Sequence, residues 1–293
     1  MLYSANNAKL RINGNEILAS DANITLGTSL SPRYLITQRN SNDYFASNGI
    51  GGQLSFNYFI TGRDYFKTFI TGQGEIPQSS SQLISGNFGG LNFDSGYLTS
   101  YSVNFGPNAA ATASATIAFY DQLNGEFSST ESAAPTSTQM LNFKKGVVSG
   151  QFASGEVDNF IEGTYNYSME VNPVYLMNET KPSSISFGVK NVSMNFEIDN
   201  PTGYLPVSGT NALISVDLKN SDNDIAENFS CSGEIQNRNI SSAAGSYIKQ
   251  TINVVQASTQ ATTVFVGSIT DNAGNSSVVG IGTTGPEGNL GNL

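Results

Sequence analysis

The stretch "LSFNYFI", residues 54–60, returns as "VSMNFEI" at residues 192–198. Ser and Asn recur at the same places, and apolar residues hold the first, third, fifth and seventh positions both times. Period-two alternation marks a half-buried β-strand, because successive side chains leave a strand on opposite faces. A second ordered match supports the first: "SGNFGGLNF" (85–93) aligns without gaps on "SGEIQNRNI" (232–240), keeping Ser, Gly and a later Asn. Two matches in the same order, at similar offsets, predict an internal duplication.

The expected organisation follows. Residues 1–126 form a first β-domain, 127–142 a linker, 143–256 a second β-domain, and 257–293 a Gly/Asn-rich C-terminal strand with an extended tail. The linker is placed on "FSSTESAAPTSTQ" (127–139), rich in Ser, Thr, Ala and Pro and poor in apolar residues. A third echo blurs this boundary: "SGQF" (149–152) then "YSMEVNP" (167–173) resembles "SGNF" (85–88) then "YSVNFGP" (101–107).

Alternation runs through the rest of the chain. "KLRINGNEILASDANITLG" (9–27) reads as a hairpin about Asn13-Gly14, the residue pair that a tight two-residue turn favours. "YLTSYSVNFG" (97–106) and "ATASATIAFYD" (111–121) form a second hairpin around Gly106-Pro107-Asn108. "TYNYSMEVNPVYLM" (164–177) puts Tyr165, Tyr167, Met169 and Val171 on one face. One segment departs. In "TGRDYFKTFITG" the residues Tyr65, Phe66, Phe69 and Ile70 fall at helical spacing, and Thr61 stands three before Asp64 like a capping box. This predicts a short helix from about Arg63 to Ile70. The counterpart "DNPTGYLP" (199–206) carries prolines and loses the helix. The expected fold class is therefore mainly β: two tandem β-sandwich or barrel domains, with one short helix in the first.

Composition limits what such a fold does. Of 293 residues, 38% are hydrophobic and only 12% charged, so the surface is neutral and polar and suits coverage by partners. The net charge of −10 argues against nucleic-acid reading, which needs a basic footprint. No run is long enough for a membrane span, and "MLYSANNAKLRING" (1–14) lacks the basic start and apolar core of a signal peptide. The expectation is synthesis in the cytoplasm. Cys231, the single cysteine, excludes an internal disulfide and reads as a small buried side chain beside Phe229.

Chemistry finds little foothold. The chain has no histidine, which removes Ser-His-Asp triads, Cys-His dyads and imidazole metal sites. Carboxylate chemistry would need two acids facing each other. Asp121, Glu126, Asp199 and Asp217 are scattered and read as solvated surface. "SDNDIAEN" (221–228) gathers Asp222, Asp224 and Glu227, but places Glu227 where a calcium loop needs glycine, and so reads as an acidic loop. "GIGTTG" (280–285) matches a dinucleotide fingerprint, yet Pro286 follows where the helix should begin. No catalytic, cofactor-binding or metal residue is assigned, and no enzyme activity is expected.

The opening hairpin "LRINGNEILASDANITLG", the strand "GGQLSFNYFITG", the short helix and "SGNFGGLNFDSGYLTSYSVNFGPN" together resemble bacteriophage tail tube and related virion structural proteins. The pattern covers about residues 5–125 and, in weaker form, 160–256. The resemblance implies a β-sandwich or small barrel with one flanking helix, joined to neighbouring subunits into rings that stack as a conduit for DNA. Two copies in one chain would let three chains make a pseudo-sixfold ring. It implies homo-oligomers and other virion proteins as partners, DNA only as passing cargo, no membrane, and location in the virion. A capsid decoration, neck or baseplate protein is the alternative, with a surface adhesion module or a carboxylate glycan enzyme behind it. The residues assigned to assembly are Arg33, Tyr34 and Tyr44 in the loop 27–49, Phe66 and Phe69 where the helix closes the first domain, and Val278 and Val279 in the tail.

Overall fold

The computed structural model describes residues 9–28, 30–36, 43–46, 49–61, 64–70, 83–106, 109–120, 122–127, 145–150, 160–177, 179, 181–199, 211–220, 225–242, 244, 248–256, 267–270 and 276–279. Residues 1–256 form one compact unit and residues 257–293 another. The chain is mainly β, as its alternation predicts.

The first half contributes β1 (Leu10–Ile12), β2 (Asn15–Ile17), β3 (Ala19–Gly27), β4 (Leu30–Arg33), β5 (Asp43–Ala46), β6 (Gly51–Phe59), α1 (Lys67–Ile70), β7 (Ile84–Phe88), β8 (Leu91–Phe105) and β9 (Thr112–Phe119). The second half contributes β10 (Lys145–Gly150), β11 (Phe160–Val174), β12 (Ser184–Asp199), β13 (Asn211–Lys219), β14 (Ile225–Ser241) and β15 (Lys249–Val255). A separate hairpin, β16 (Gly267–Thr270) with β17 (Ser276–Val279), lies in the tail. Residues 257–293, where one strand and an extended tail are expected, thus hold two short paired strands.

The same pairing order is written in both halves. In the first it runs β3-β6-β9-β8-β7, and in the second β11-β12-β15-β14-β13, every pair antiparallel. β6 and β12, which carry the two copies of the opening motif, occupy the same place in this order. Their alternate residues Leu54, Phe56, Tyr58 and Ile60, and Val192, Met194, Phe196 and Ile198, are all buried. The second anchor fares differently. Residues 85–93 cross the β7–β8 turn at Gly89 and Gly90, both with positive φ, whereas 232–240 run straight through β14. That alignment joins segments of unlike structure and does not hold: β8, not the β7–β8 turn, stands where β14 stands.

The two halves are fused side by side. β8 is long enough that one edge holds β7 along its N-terminal part and β11 along its C-terminal part. A single apolar core draws on both halves, and the second half curls so that a side chain at Gly146 on β10 would meet the Phe160 ring of β11.

Local chemistry explains the turns. Asn13 (φ 47°) and Gly14 (φ 79°) form the left-handed pair that a two-residue hairpin requires. The β8–β9 hairpin also forms as expected. The helix is a single turn, shorter than expected, because the Asp64 carboxylate itself accepts the Phe66 N–H at 3.0 Å. Asp64 thus caps the turn from its N-terminal end and does not close a capping box with Thr61.

Candidate assembly surfaces

The joint between the halves is the best-defined polar and aromatic feature. Six residues of β11, Gly163 to Ser168, pair with Phe105 to Ser100 of β8. Asn166 Oδ1 accepts the Ser102 hydroxyl across it at 2.7 Å. Underneath, the Phe105 ring stacks on Phe160 at 5.6 Å and on Phe229 at 5.5 Å. Gly163 permits this approach, since a Cβ there would strike the Phe105 ring.

A buried polar cluster ties the helical turn to the second half. Asp64, 5% exposed, accepts the hydroxyls of Tyr58 at 2.8 Å and Tyr101 at 2.5 Å. Its own main-chain N–H donates to Glu227 Oε2 at 3.0 Å, and Lys67 Nζ lies 2.5 Å from Glu227 Oε1. Lys67 also donates to the Asn228 carbonyl and sits 5.3 Å from the centre of the Phe229 ring. Burial pushes the Asp64 carboxyl above the usual carboxylate range, against the opposing pull of the Tyr101 and Tyr58 hydroxyls. Burial and the neighbouring Asp64 charge push both tyrosines far up as well. Glu227 is therefore no part of a solvated acidic loop: at 4% exposed it is an anchor inside β14. Asp222 and Asp224 lie outside the described residues.

Exposed apolar groups gather at two connections. One leaves β4 toward β5, where Tyr34, Leu35 and Ile36 are 65%, 53% and 106% exposed. The other is the end of the long β11–β12 hairpin, with Val174, Leu176, Met177 and Val189 exposed. Both projections link equivalent strands: β3 to β6 in one half, β11 to β12 in the other.

The residues assigned to assembly fall in different settings. Arg33 is exposed at the end of β4, opposite Asp43, and Tyr34 follows it. Tyr44 lies on β5 opposite Pro32. Phe66 is fully buried, 5.5 Å from both the Phe56 and Tyr58 rings, so it has no surface to offer a neighbour. Phe69 is half-buried against it. Both pack into the core beside the turn that meets β14. Val278 and Val279 pair with Ser268 and Gly267 in the tail hairpin. The "GIGTTG" stretch lies outside the described residues, as does most of the linker 127–142.

For chemistry, one groove of about 360 Å³ opens where β8, β11 and β12 meet. Glu162 and Glu197 stand opposite each other there across β11 and β12, a pairing that only strand register could reveal. Lys249 Nζ holds Glu197 at 2.8 Å, so one member of this pair is committed to an ion pair. Among the described residues no group of three or more Cys, Asp or Glu could hold a metal ion, and no helix is long and apolar enough to cross a membrane. No protein-family model matches the sequence, and no curated protein matches it.

Proposed function

We propose that this chain is a structural virion subunit of the phage tail-tube type, which joins copies of itself into rings that stack as a conduit for DNA. The observation that carries the reading is the repeated pairing order, which supports taking one chain as two half-units set edge to edge. Three such chains supply six half-units. Sheets with open edges invite further strands, and an assembling protein uses that tendency. The exposed apolar projections at Tyr34–Ile36 and at Leu176 and Met177 belong to equivalent connections and suit contacts between stacked rings. The net charge of −10 suits a channel that lets DNA pass without holding it.

Sedimentation velocity over a concentration series tests this. A discrete trimer-sized species that grows into larger stacks is the expected result. A chain that sediments as a monomer at every concentration would overturn it.

A further inference from the structure

Beyond the joint, the β11–β12 hairpin leaves the sheet. β11 pairs β8 only through Gly163–Ser168, and β12 pairs β15 only through Ser193–Asp199. Among the described strands, residues 171–174 and 184–187 pair with each other alone. The register shifts between the Met169–Lys190 and Val171–Phe187 pairs, with Glu170 on one strand and Gly188 and Val189 on the other. Such a bulge bends a ribbon, and a Cβ at Gly188 would strike the Glu170 side chain. A two-stranded ribbon is marginal by itself, so what it leans on sets its direction.

Three aromatic contacts with the first half supply that support. Tyr120, just after β9, donates its hydroxyl to the Val171 carbonyl at 3.0 Å, next to the bulge. The Phe187 ring meets Tyr97 of β8 edge-on at 5.7 Å, and Tyr97 lies 6.3 Å from Tyr120. Farthest out, Tyr175 donates to the Ile50 carbonyl at 3.3 Å, and its ring sits where a Cβ at Gly49 would fall. Burial pushes the Tyr97, Tyr120 and Tyr175 phenols above their usual range, so the hydroxyls stay protonated donors.

The sequence repeats the outermost piece. "PRYLI" (32–36) and "PVYLM" (173–177) hold Pro, Tyr and Leu at the same places. Each proline pairs with the residue equally far along the chain, Tyr44 in one hairpin and Ile185 in the other. Tyr34 therefore matches Tyr175, yet Tyr34 is 65% exposed whereas Tyr175 is half-buried against the first half. The two tips share a design and differ in the seat.

We infer that residues 170–188 are an arm hinged at the Glu170 bulge and closed onto the first half by Tyr175 seated on Gly49 and Ile50. Tyr175 is a positioning residue: it sets the bearing of Val174, Leu176 and Met177, which are exposed beside it. On the assembly reading above that tip is a contact surface, and releasing Tyr175 redirects it. The latch itself does not depend on that reading.

Amide hydrogen exchange of the full-length protein, followed by mass spectrometry, tests the latch. Tyr175→Ala removes the key and Gly49→Val the seat. Each is expected to speed exchange across residues 170–188 on the order of tenfold, with β8 and β9 unchanged. Tyr175→Phe keeps the ring, loses the hydroxyl and should fall between. Tyr34→Ala should leave residues 170–188 as in the wild type. Exchange there that ignores both the key and the seat variant would overturn the latch. Faster exchange throughout both halves would make Tyr175 an ordinary core residue and overturn it too. Sedimentation of the same proteins reads assembly separately: a monomer throughout would overturn self-assembly and leave the latch standing.

Discussion

The main-chain N–H of Asp64, in the helical turn of the first half, donates to Glu227 Oε2 in β14 of the second half at 3.0 Å. A buried carboxylate held in this way is costly to disturb. Truncating one partner leaves the other groups desolvated and unpaired, at about 3–5 kcal/mol for a buried ion pair. Glu227→Ala is therefore expected to lower the unfolding free energy by that order, read as a lower denaturant midpoint, through loss of contact with both Lys67 and the Asp64 N–H. Glu227→Gln keeps an acceptor and should cost clearly less. Equal, small losses in urea titrations would mean that the cluster does not fasten the halves.

Acidity reads out the same cluster. Burial raises the Asp64 carboxyl above its unfolded value of about 3.9. The folded state therefore binds the proton more tightly, and the contribution of this group to stability is full below the unfolded pKa and is lost as pH rises through the folded pKa. Asp64→Asn removes that titration. Plotted against pH, the stability of the wild type minus that of the D64N variant should fall as pH rises above about 4 and level once the carboxyl is ionised in the folded chain. A difference that is flat or rises with pH contradicts the assignment.

The single thiol should be silent in the native protein. Cys231 is 2% exposed and burial pushes its pKa up to about 11. At about pH 8 a thiol-specific chromogenic reagent is expected to label it only on addition of denaturant, with a rate that follows unfolding. Prompt labelling of the folded chain would place Cys231 at an open surface.

The tail offers a clean separation. Residues 257–293 form a unit apart from 1–256, so truncation after Gln256 should leave the circular dichroism and melting of the remaining chain nearly unchanged while weakening stacking. Cutting at 271 instead would remove β17 and strip β16 of its partner, exposing an open edge. Truncated protein that stacks as well as the full chain would remove the tail from the assembly account.

The fold was legible where burial alone dictates sequence. Leu54, Phe56, Tyr58 and Ile60 alternate because one sheet face is core, and the same pattern at Val192, Met194, Phe196 and Ile198 is buried in the same way. The Asn13-Gly14 turn was legible because few residues accept positive φ. The alignment of 85–93 with 232–240 misled because Ser, Gly and Asn suit turns and strand edges alike. The echo between "YSVNF" and "YSMEV" has another origin: Tyr101 and Tyr167 stand opposite each other across the joint, so the two strands share an environment without sharing a place in the repeat. Glu227 was misread because its partners, Asp64 and Lys67, come from the other half of the chain, and charge alone does not disclose burial.

Negative-stain electron microscopy of the purified full-length protein over a concentration series tests the central claim most directly. The account predicts hollow rings with three- or sixfold end views, lengthening into tubes as concentration rises. Uniform small particles that never join, even at the highest concentration, would contradict it.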